Sequence, residues 1–273
     1  MLVVGAAGKT GRAVAGALVA RGIPVRAAVR AGREAAAPPG TTPVVVDLDT
    51  GHGLAAALDG SAAAYHLAPN VHPDEVGMAA RMADAVTAAG VVRLVFHSVL
   101  HPGEARMPHH LRKAEAEALL RDVVGERLTV LRPAAYHQNL LGQALDGTLR
   151  VPYGLDAPFT NVDLADVAEV AADGLAGRHA GATLDLAGPE VLTVRDMAEQ
   201  AAAVLGRHVR AERQSRSDWL FGPGATLTAQ ARHDLAAMFA AYDDDGLVGD
   251  TTSLAGLLGR APTTWARAVS RSR

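Results

Sequence analysis

The chain contains no cysteine. Disulfides, thiolate metal sites and a cysteine nucleophile are therefore excluded. Lysine is nearly absent as well, with arginine outnumbering it 24 to 2. There is no basic excess: 26 basic residues face 29 acidic ones, for a net charge of −3. The surplus that binding a phosphate backbone requires is missing, so no nucleic-acid partner is expected. No uninterrupted apolar run reaches the roughly 18 residues of a membrane span. Met1-Leu2-Val3-Val4 runs straight into glycines, without the basic stretch that opens a secretory signal. A cytoplasmic protein without a membrane partner is the expectation. Gly-x-Ser-x-Gly and His-Glu-x-x-His do not occur, which leaves a hydrolase elbow and a zincin site unsupported. The histidines at 97, 101, 109 and 110 span a strand end, a loop and a helix, a poor spacing for a metal. No metal is expected.

What is present is a chain that is 49% apolar, ample for a buried core. At roughly 150 residues per domain, 273 residues make one or two domains. The first half alternates short β-branched runs with alanine-rich helical stretches. Strands are predicted at Leu2–Val4, Pro24–Val29, Pro43–Val46, Ala62–His66, Val92–His97 and Leu128–Leu131. Helices are predicted at Gly11–Ala20, Gly53–Leu58, Asp74–Ala89 and His109–Val123, with Gly22, Gly60 and Gly90 as stops. Apolar strands separated by helices indicate a parallel sheet with crossover connections. After about residue 133 the pattern turns mixed. Helices are predicted at Asp163–Leu175, Thr193–Leu205, Leu227–Ala241 and Pro262–Val269, and a strand at Ala182–Leu186. Thr193 and Asp196 form a loose capping box. Residues 1–150 are expected to form a nucleotide-binding domain and 151–273 a smaller substrate portion, with 155–180 returning to the first.

The N-terminus carries the chemistry. Gly5, Gly8 and Gly11 follow a strand and open a helix, in Gly5-Ala6-Ala7-Gly8-Lys9-Thr10-Gly11. Gly5 permits a tight turn. Gly8 lets the backbone approach a pyrophosphate, and Gly11 lets helix pack on strand. The helix then offers free N–H groups to the anion. No Lys-Ser/Thr pair follows the last glycine, so a nucleoside-triphosphate loop is disfavoured. A nicotinamide dinucleotide fits, as part of an α/β, Rossmann-type doubly wound parallel sheet. NAD specificity places an acid at the end of the second strand. Here Arg30 stands there and the next acid is Glu34. Arginine suits a 2′-phosphate, and Lys9 adds a second cation, so NADP(H) is preferred over NAD(H). The other reading of Arg30 is a solvated strand end. Asp47 accepts from the adenine amino group or simply caps a turn. Leu48 follows it, and Leu67, Ala68 and Pro69 end the fourth strand along the cofactor crevice.

These residues resemble the NmrA-like family of atypical short-chain reductases. The likeness runs through the glycine loop, Val29-Arg30, Val46-Asp47-Leu48, Val95-Phe96-His97-Ser98, Lys113-Ala114-Glu115-Ala116-Glu117 and Leu131-Arg132-Pro133. It continues through Gln138-Asn139-Leu140-Leu141, Leu164-Ala165-Asp166-Val167-Ala168 and Leu258-Gly259-Arg260-Ala261-Pro262. It implies binding of NAD(P)(H) and reduction of small carbonyls, quinones or dyes. The alternative it leaves is a non-catalytic redox sensor acting through a protein partner.

Active short-chain reductases set a Tyr four residues before a Lys, on one helix face. The Lys holds the nicotinamide ribose and lowers the phenol's effective pKa, so that the Tyr protonates the carbonyl oxygen. The resemblance places Lys113 in the Lys position, but His109 replaces the Tyr. His109 serves as the acid, lines the pocket, or sits on the surface. Ser98 hydrogen-bonds a substrate oxygen or satisfies a strand end. The substrate is expected near Ser98, His109, Tyr136 and Trp219, with Tyr136 also beside the cofactor. Trp219, Phe221 and Phe239 are expected as core, pocket wall or lid. A quinone or other apolar, conjugated acceptor takes its proton from water and does not need a Tyr.

Overall fold

The computed structural model describes all 273 residues, and no helix in it is long and apolar enough to cross a membrane. The chain divides into two interleaved units. The first is Met1–Gly103, Leu111–Arg132 and Val167–Leu184; the second is Glu104–His110, Pro133–Asp166 and Asp185–Arg273.

Nine strands and eleven α-helices occur in the order β1 (Leu2–Val3), α1 (Lys9–Ala20), β2 (Arg26–Val29), β3 (Thr42–Val45), α2 (Leu54–Leu58), β4 (Ala63–His66), α3 (Glu75–Ala88), β5 (Arg93–His97), α4 (Pro108–Val124), β6 (Leu128–Pro133), α5 (Leu141–Asp146), β7 (Thr148–Val151), α6 (Leu164–Leu175), β8 (Thr183–Leu186), α7 (Val194–Leu205), β9 (Arg210–Arg213), α8 (Arg216–Phe221), α9 (Ala229–Asp245), α10 (Ser253–Leu258) and α11 (Trp265–Ser272). The elements expected from the sequence are present within a few residues. Those it did not signal are α5, β7, β9, α8 and α10.

The first unit is built on a parallel sheet in the order β3-β2-β1-β4-β5-β6-β8. Its central strands are largely apolar because both faces are covered; all four residues of β4 are buried, His66 included. The covering helices show why they form. In α3 the buried residues Met78, Ala79, Met82, Ala83 and Val86 recur every three or four positions, which is one stripe of a helix. That stripe packs with Leu94 and Phe96 of β5, Leu120 of α4 and Val130 of β6. Burying each large apolar side chain contributes roughly 1.5–3 kcal/mol. Strand order reverses between β1 and β4. In a doubly wound sheet the carboxyl ends at such a reversal form the ligand crevice.

The second unit holds the two-stranded parallel sheet of β7 and β9, with Thr148 opposite Arg210 and Val151 opposite Arg213. Leu149, Val151, Met197, Ala201, Trp265 and Val269 form its core, and the Trp265 indole donates to the Met197 carbonyl at 2.8 Å. Helix α7 opens with the expected capping box. Thr193 Oγ1 accepts from the Asp196 amide at 3.1 Å, and the Thr193 amide donates to Asp196 Oδ2 at 2.8 Å. Two late sequence motifs meet here. Asp166, almost fully buried, accepts from the Thr263 amide at 2.6 Å and from Arg260 at 2.8 Å. Half the aromatics gather in one cluster: Tyr153, Phe159, Trp219, Phe239 and Tyr242, with ring centroids 4.8–6.0 Å apart. Phe221 departs from that group and is 81% exposed.

Candidate cofactor-binding site

The glycine loop connects β1 to α1. Gly5 has φ +70° and accepts from the Gly8 amide at 2.9 Å, closing a tight turn. A Cβ on Gly11 would lie 2.2 Å from the Gly5 carbonyl oxygen and 2.8 Å from Ala6 Cα. Only glycine lets the helix approach the turn this closely. A Cβ on Gly8 would meet nothing but the Gly5 carbonyl oxygen, at 3.3 Å. The loop is thus packed tightly inside and open outside. Gly8 is an extended N-cap, no side chain caps α1, and its first turn carries no acid. The leading amides of a helix lack intrahelical partners, and the helix dipole adds positive potential there. This end is suited to an anion. Lys9 is exposed beside it and Thr10 is nearly buried. Arg12, which the sequence did not single out, braces the loop by donating to the Ala7 carbonyl at 3.0 Å and the Ala36 carbonyl at 2.7 Å.

Three further segments leave the same carboxyl edge of the parallel sheet. Arg30 is exposed, one residue beyond β2. Asp47 follows β3, and its Oδ1 accepts from the Asp49 amide at 2.8 Å. That is the turn-capping role weighed from sequence. The Leu48 carbonyl accepts from Arg81 at 2.7 Å. Leu67, Ala68 and Pro69 follow β4. The Leu67 carbonyl oxygen packs so near the glycine turn that a Cβ on Gly5 would stand 3.3 Å away.

The second cluster lies between β4, β5, α3 and α4. Lys113 is buried on α4. Its ammonium donates to Glu75 Oε1 at 2.8 Å and to the His97 carbonyl at 2.9 Å, and lies 5.1 Å from the centre of the Phe96 ring. Glu75 belongs to no motif of the sequence. The signal available was charge balance, since a lysine buried on α4 needs a counter-ion. One turn later on α4, buried Glu117 accepts from Ser98 Oγ at 2.5 Å and from Arg132 Nη2 at 2.5 Å and Nε at 2.9 Å. Ser98 is fully buried and its one hydroxyl proton goes to Glu117.

Two histidines flank the lysine. His66, the last residue of β4, is fully buried with both ring nitrogens unpartnered, and it stacks on Phe96 at 5.6 Å. His97, the last residue of β5, meets the Tyr65 hydroxyl at Nδ1, 2.5 Å away. Burial, with the Lys113 charge adding to it, lowers both imidazoles to about 3. Both are neutral at pH 7.

His109 and Tyr136 belong to the second unit. His109 is half-buried in the first turn of α4, edge-on to His110 with ring centres 4.5 Å apart. Tyr136 lies just past β6 and pairs with Val162 through a backbone bridge.

Residues 1–263 match the model of the NmrA-like family. The chain belongs to that family. This NmrA-like chain is 38% identical, over 224 residues covering 78% of it and 76% of the relative, to a (4-alkanoyl-5-oxo-2,5-dihydrofuran-3-yl)methyl phosphate reductase of Streptomyces griseus subsp. griseus. It is 29% identical to quinone oxidoreductase 2 of Escherichia coli K12, over 213 residues and 73% of each chain. Among solved structures it superposes with TM-score 0.82 on the NADPH-dependent quinone oxidoreductase of Escherichia coli complexed with NADPH, at 26% identity and 99% coverage of both chains. A triphenylmethane reductase of a Citrobacter species, complexed with NADP(H), has the same fold at TM-score 0.82 and 21% identity, over 100% of this chain and 99% of that one.

Proposed function

We propose that this NmrA-like protein is an NADPH-dependent reductase of small, apolar, conjugated acceptors such as quinones and α,β-unsaturated carbonyl compounds. The observation that carries this is the uncapped start of α1, held open to an anion by a loop that tolerates no Cβ at position 11. A dinucleotide fits the residues present. The amides after Gly8 take the pyrophosphate. Arg30, exposed beyond β2, takes the 2′-phosphate that separates NADPH from NADH. When bound, NADPH supplies a hydride. Lys113 contributes the ribose contact, as its place on α4 and its unused third proton allow.

The acceptor class follows from what is missing. A simple ketone needs an acid at its oxygen, and position 109 has His instead of the Tyr of active short-chain reductases. Conjugation spreads the charge that hydride addition creates, so solvent can deliver the proton. The named relatives, a quinone reductase and a reductase of an alkanoyl dihydrofuranone phosphate, both act on conjugated compounds.

The test is loss of NADPH absorbance against a panel of quinones, butenolides, saturated ketones and aldehydes. Turnover is expected on the first two groups and at least about 100-fold less on the others, the 10²–10⁴-fold that a positioned general acid contributes. Saturated ketones reduced as fast as quinones would overturn the acceptor assignment. Tight NADPH binding with no turnover on any acceptor would mark a redox sensor instead.

A further inference from the structure

We propose that Glu75 is the positioning residue of the cofactor site: it keeps Lys113 charged and aims its third proton at the bound dinucleotide. This rests on the reading above, in which Lys113 contacts the cofactor.

Lys113 and Glu75 are both nearly buried, with side-chain exposures of 11% and 4%. An ammonium removed from water favours its neutral form unless a counter-charge and hydrogen bonds compensate. The groups packed around the ammonium differ in what they can offer it. From β4, His66 offers an imidazole that is neutral and stacked on Phe96. From β5, His97 offers its backbone carbonyl, while its imidazole turns to Tyr65. Phe96 presents a ring face to the ammonium, an attraction that brings no counter-charge. On α4 itself, Glu117 is held by Arg132 and Ser98. From α3, Glu75 supplies a full negative charge at 2.8 Å. It is therefore the counter-ion, and the two bonds it shares with the His97 carbonyl fix the direction of the remaining N–H.

Glu75 reaches this position because α3 begins there. It is the first residue of the helix, in the turn where an acid is favoured by the helix dipole. The same helix carries the Ala79-Met82-Ala83-Val86 stripe that anchors it to the sheet. The carboxylate is thus mounted on a rigid element rather than on a loop.

The experiment measures NADPH dissociation constants by fluorescence from pH 7 to 9.5 for the full chain, wild type, Glu75→Gln, Glu75→Asp and Lys113→Met. Each constant is divided by the wild-type value at the same pH. The division removes the contribution of Lys9, which is common to all. In Glu75→Gln the ammonium is left without its counter-charge. The ratio is expected to rise with pH, by up to about tenfold per pH unit once the proton is lost. Glu75→Asp, with the carboxylate one methylene short, should fall between wild type and Glu75→Gln at pH 9. It also serves if Glu75→Gln does not fold. Lys113→Met should bind weakly at every pH with a flat ratio. A flat ratio near one in both Glu75 variants, with Lys113→Met weakened, overturns the assignment of Glu75 alone. Wild-type binding by Lys113→Met overturns the Lys113 contact and the assignment of Glu75 with it.

Discussion

Gly11→Ala severely weakens NADPH binding and lowers the melting temperature. The added Cβ would stand 2.2 Å from the Gly5 carbonyl oxygen, 2.6 Å from the Gly5 carbonyl carbon and 2.8 Å from Ala6 Cα. All three are backbone atoms, so no side-chain rotation relieves the clash. Either α1 or the turn after β1 must move. Overpacking of this kind costs about 1–3 kcal/mol. In a chain of this size that lowers the melting temperature by roughly 2–12 °C, at 2–4 °C per kcal/mol. The effect on binding is larger than the effect on folding. The amides that face the anion belong to the segment that has to shift, and hydrogen bonds weaken steeply with misalignment. A drop in affinity of about 100-fold or more is expected, the equivalent of two charge-assisted hydrogen bonds. Gly16→Ala, on the same helix with nothing within 4 Å of its would-be Cβ, is the control. It should gain up to about 1 kcal/mol from helix propensity and bind NADPH normally. Calorimetry of unfolding and of binding reads both effects. Gly11→Ala that binds NADPH within threefold of wild type would contradict the close-packed turn.

The second large effect is acid instability from the buried histidines. His66 and His97 are lowered to about 3 in the folded protein, chiefly by burial and then by the Lys113 charge. In the unfolded chain they titrate near 6.5. Between those values the unfolded state binds more protons, so stability is complete above about pH 6.5 and is lost as pH falls. Each histidine contributes about 1.4 kcal/mol per pH unit inside that window. With 5–15 kcal/mol available to a typical domain, the pair is enough to unfold the protein before pH 3 is reached. His137 is lowered too, mainly by burial, with its contact to the Thr263 carbonyl acting against the shift. Urea unfolding at a series of pH values measures the slope. His66→Leu should reduce it by about one proton per molecule. Stability that stays level from pH 6.5 to 4.5 would show that these imidazoles are not buried as described.

Much of this was legible because burial on both faces leaves a plain mark. Strands such as Ala63–His66 and Arg93–His97 read as short apolar runs between glycines, and the loop at 5–11 follows one of them directly. The elements that escaped notice lack that mark. β9 is Arg-Ala-Glu-Arg, lying on a two-stranded sheet with solvent on its charged side chains. α8 and α10 are six residues each, too short for a helical period to emerge. At the site, residues acting through their own backbone position were found and residues acting as partners were not. Glu75 is 38 positions from Lys113 and Glu117 is 19 from Ser98. Neither pairing has a spacing rule, because both depend on how helices cross the sheet. The family motifs did contain Ser98, Glu117 and Arg132, and their meeting explains why those residue types occur together. Asp47 was marked by its place after the third strand, and its carboxylate also accepts from the Asp49 amide.

The measurement that bears most directly on the central claim is calorimetric titration of the wild-type protein and Arg30→Ala with NADPH and with NADH. A dinucleotide held by the loop amides and by Arg30 should bind wild type with NADPH preferred. Arg30→Ala should lose affinity for NADPH by about tenfold or more, the 1.5–3 kcal/mol of a charge-assisted bond, and leave NADH unchanged. No heat and no thermal shift with either dinucleotide at millimolar concentration would contradict the account at its root.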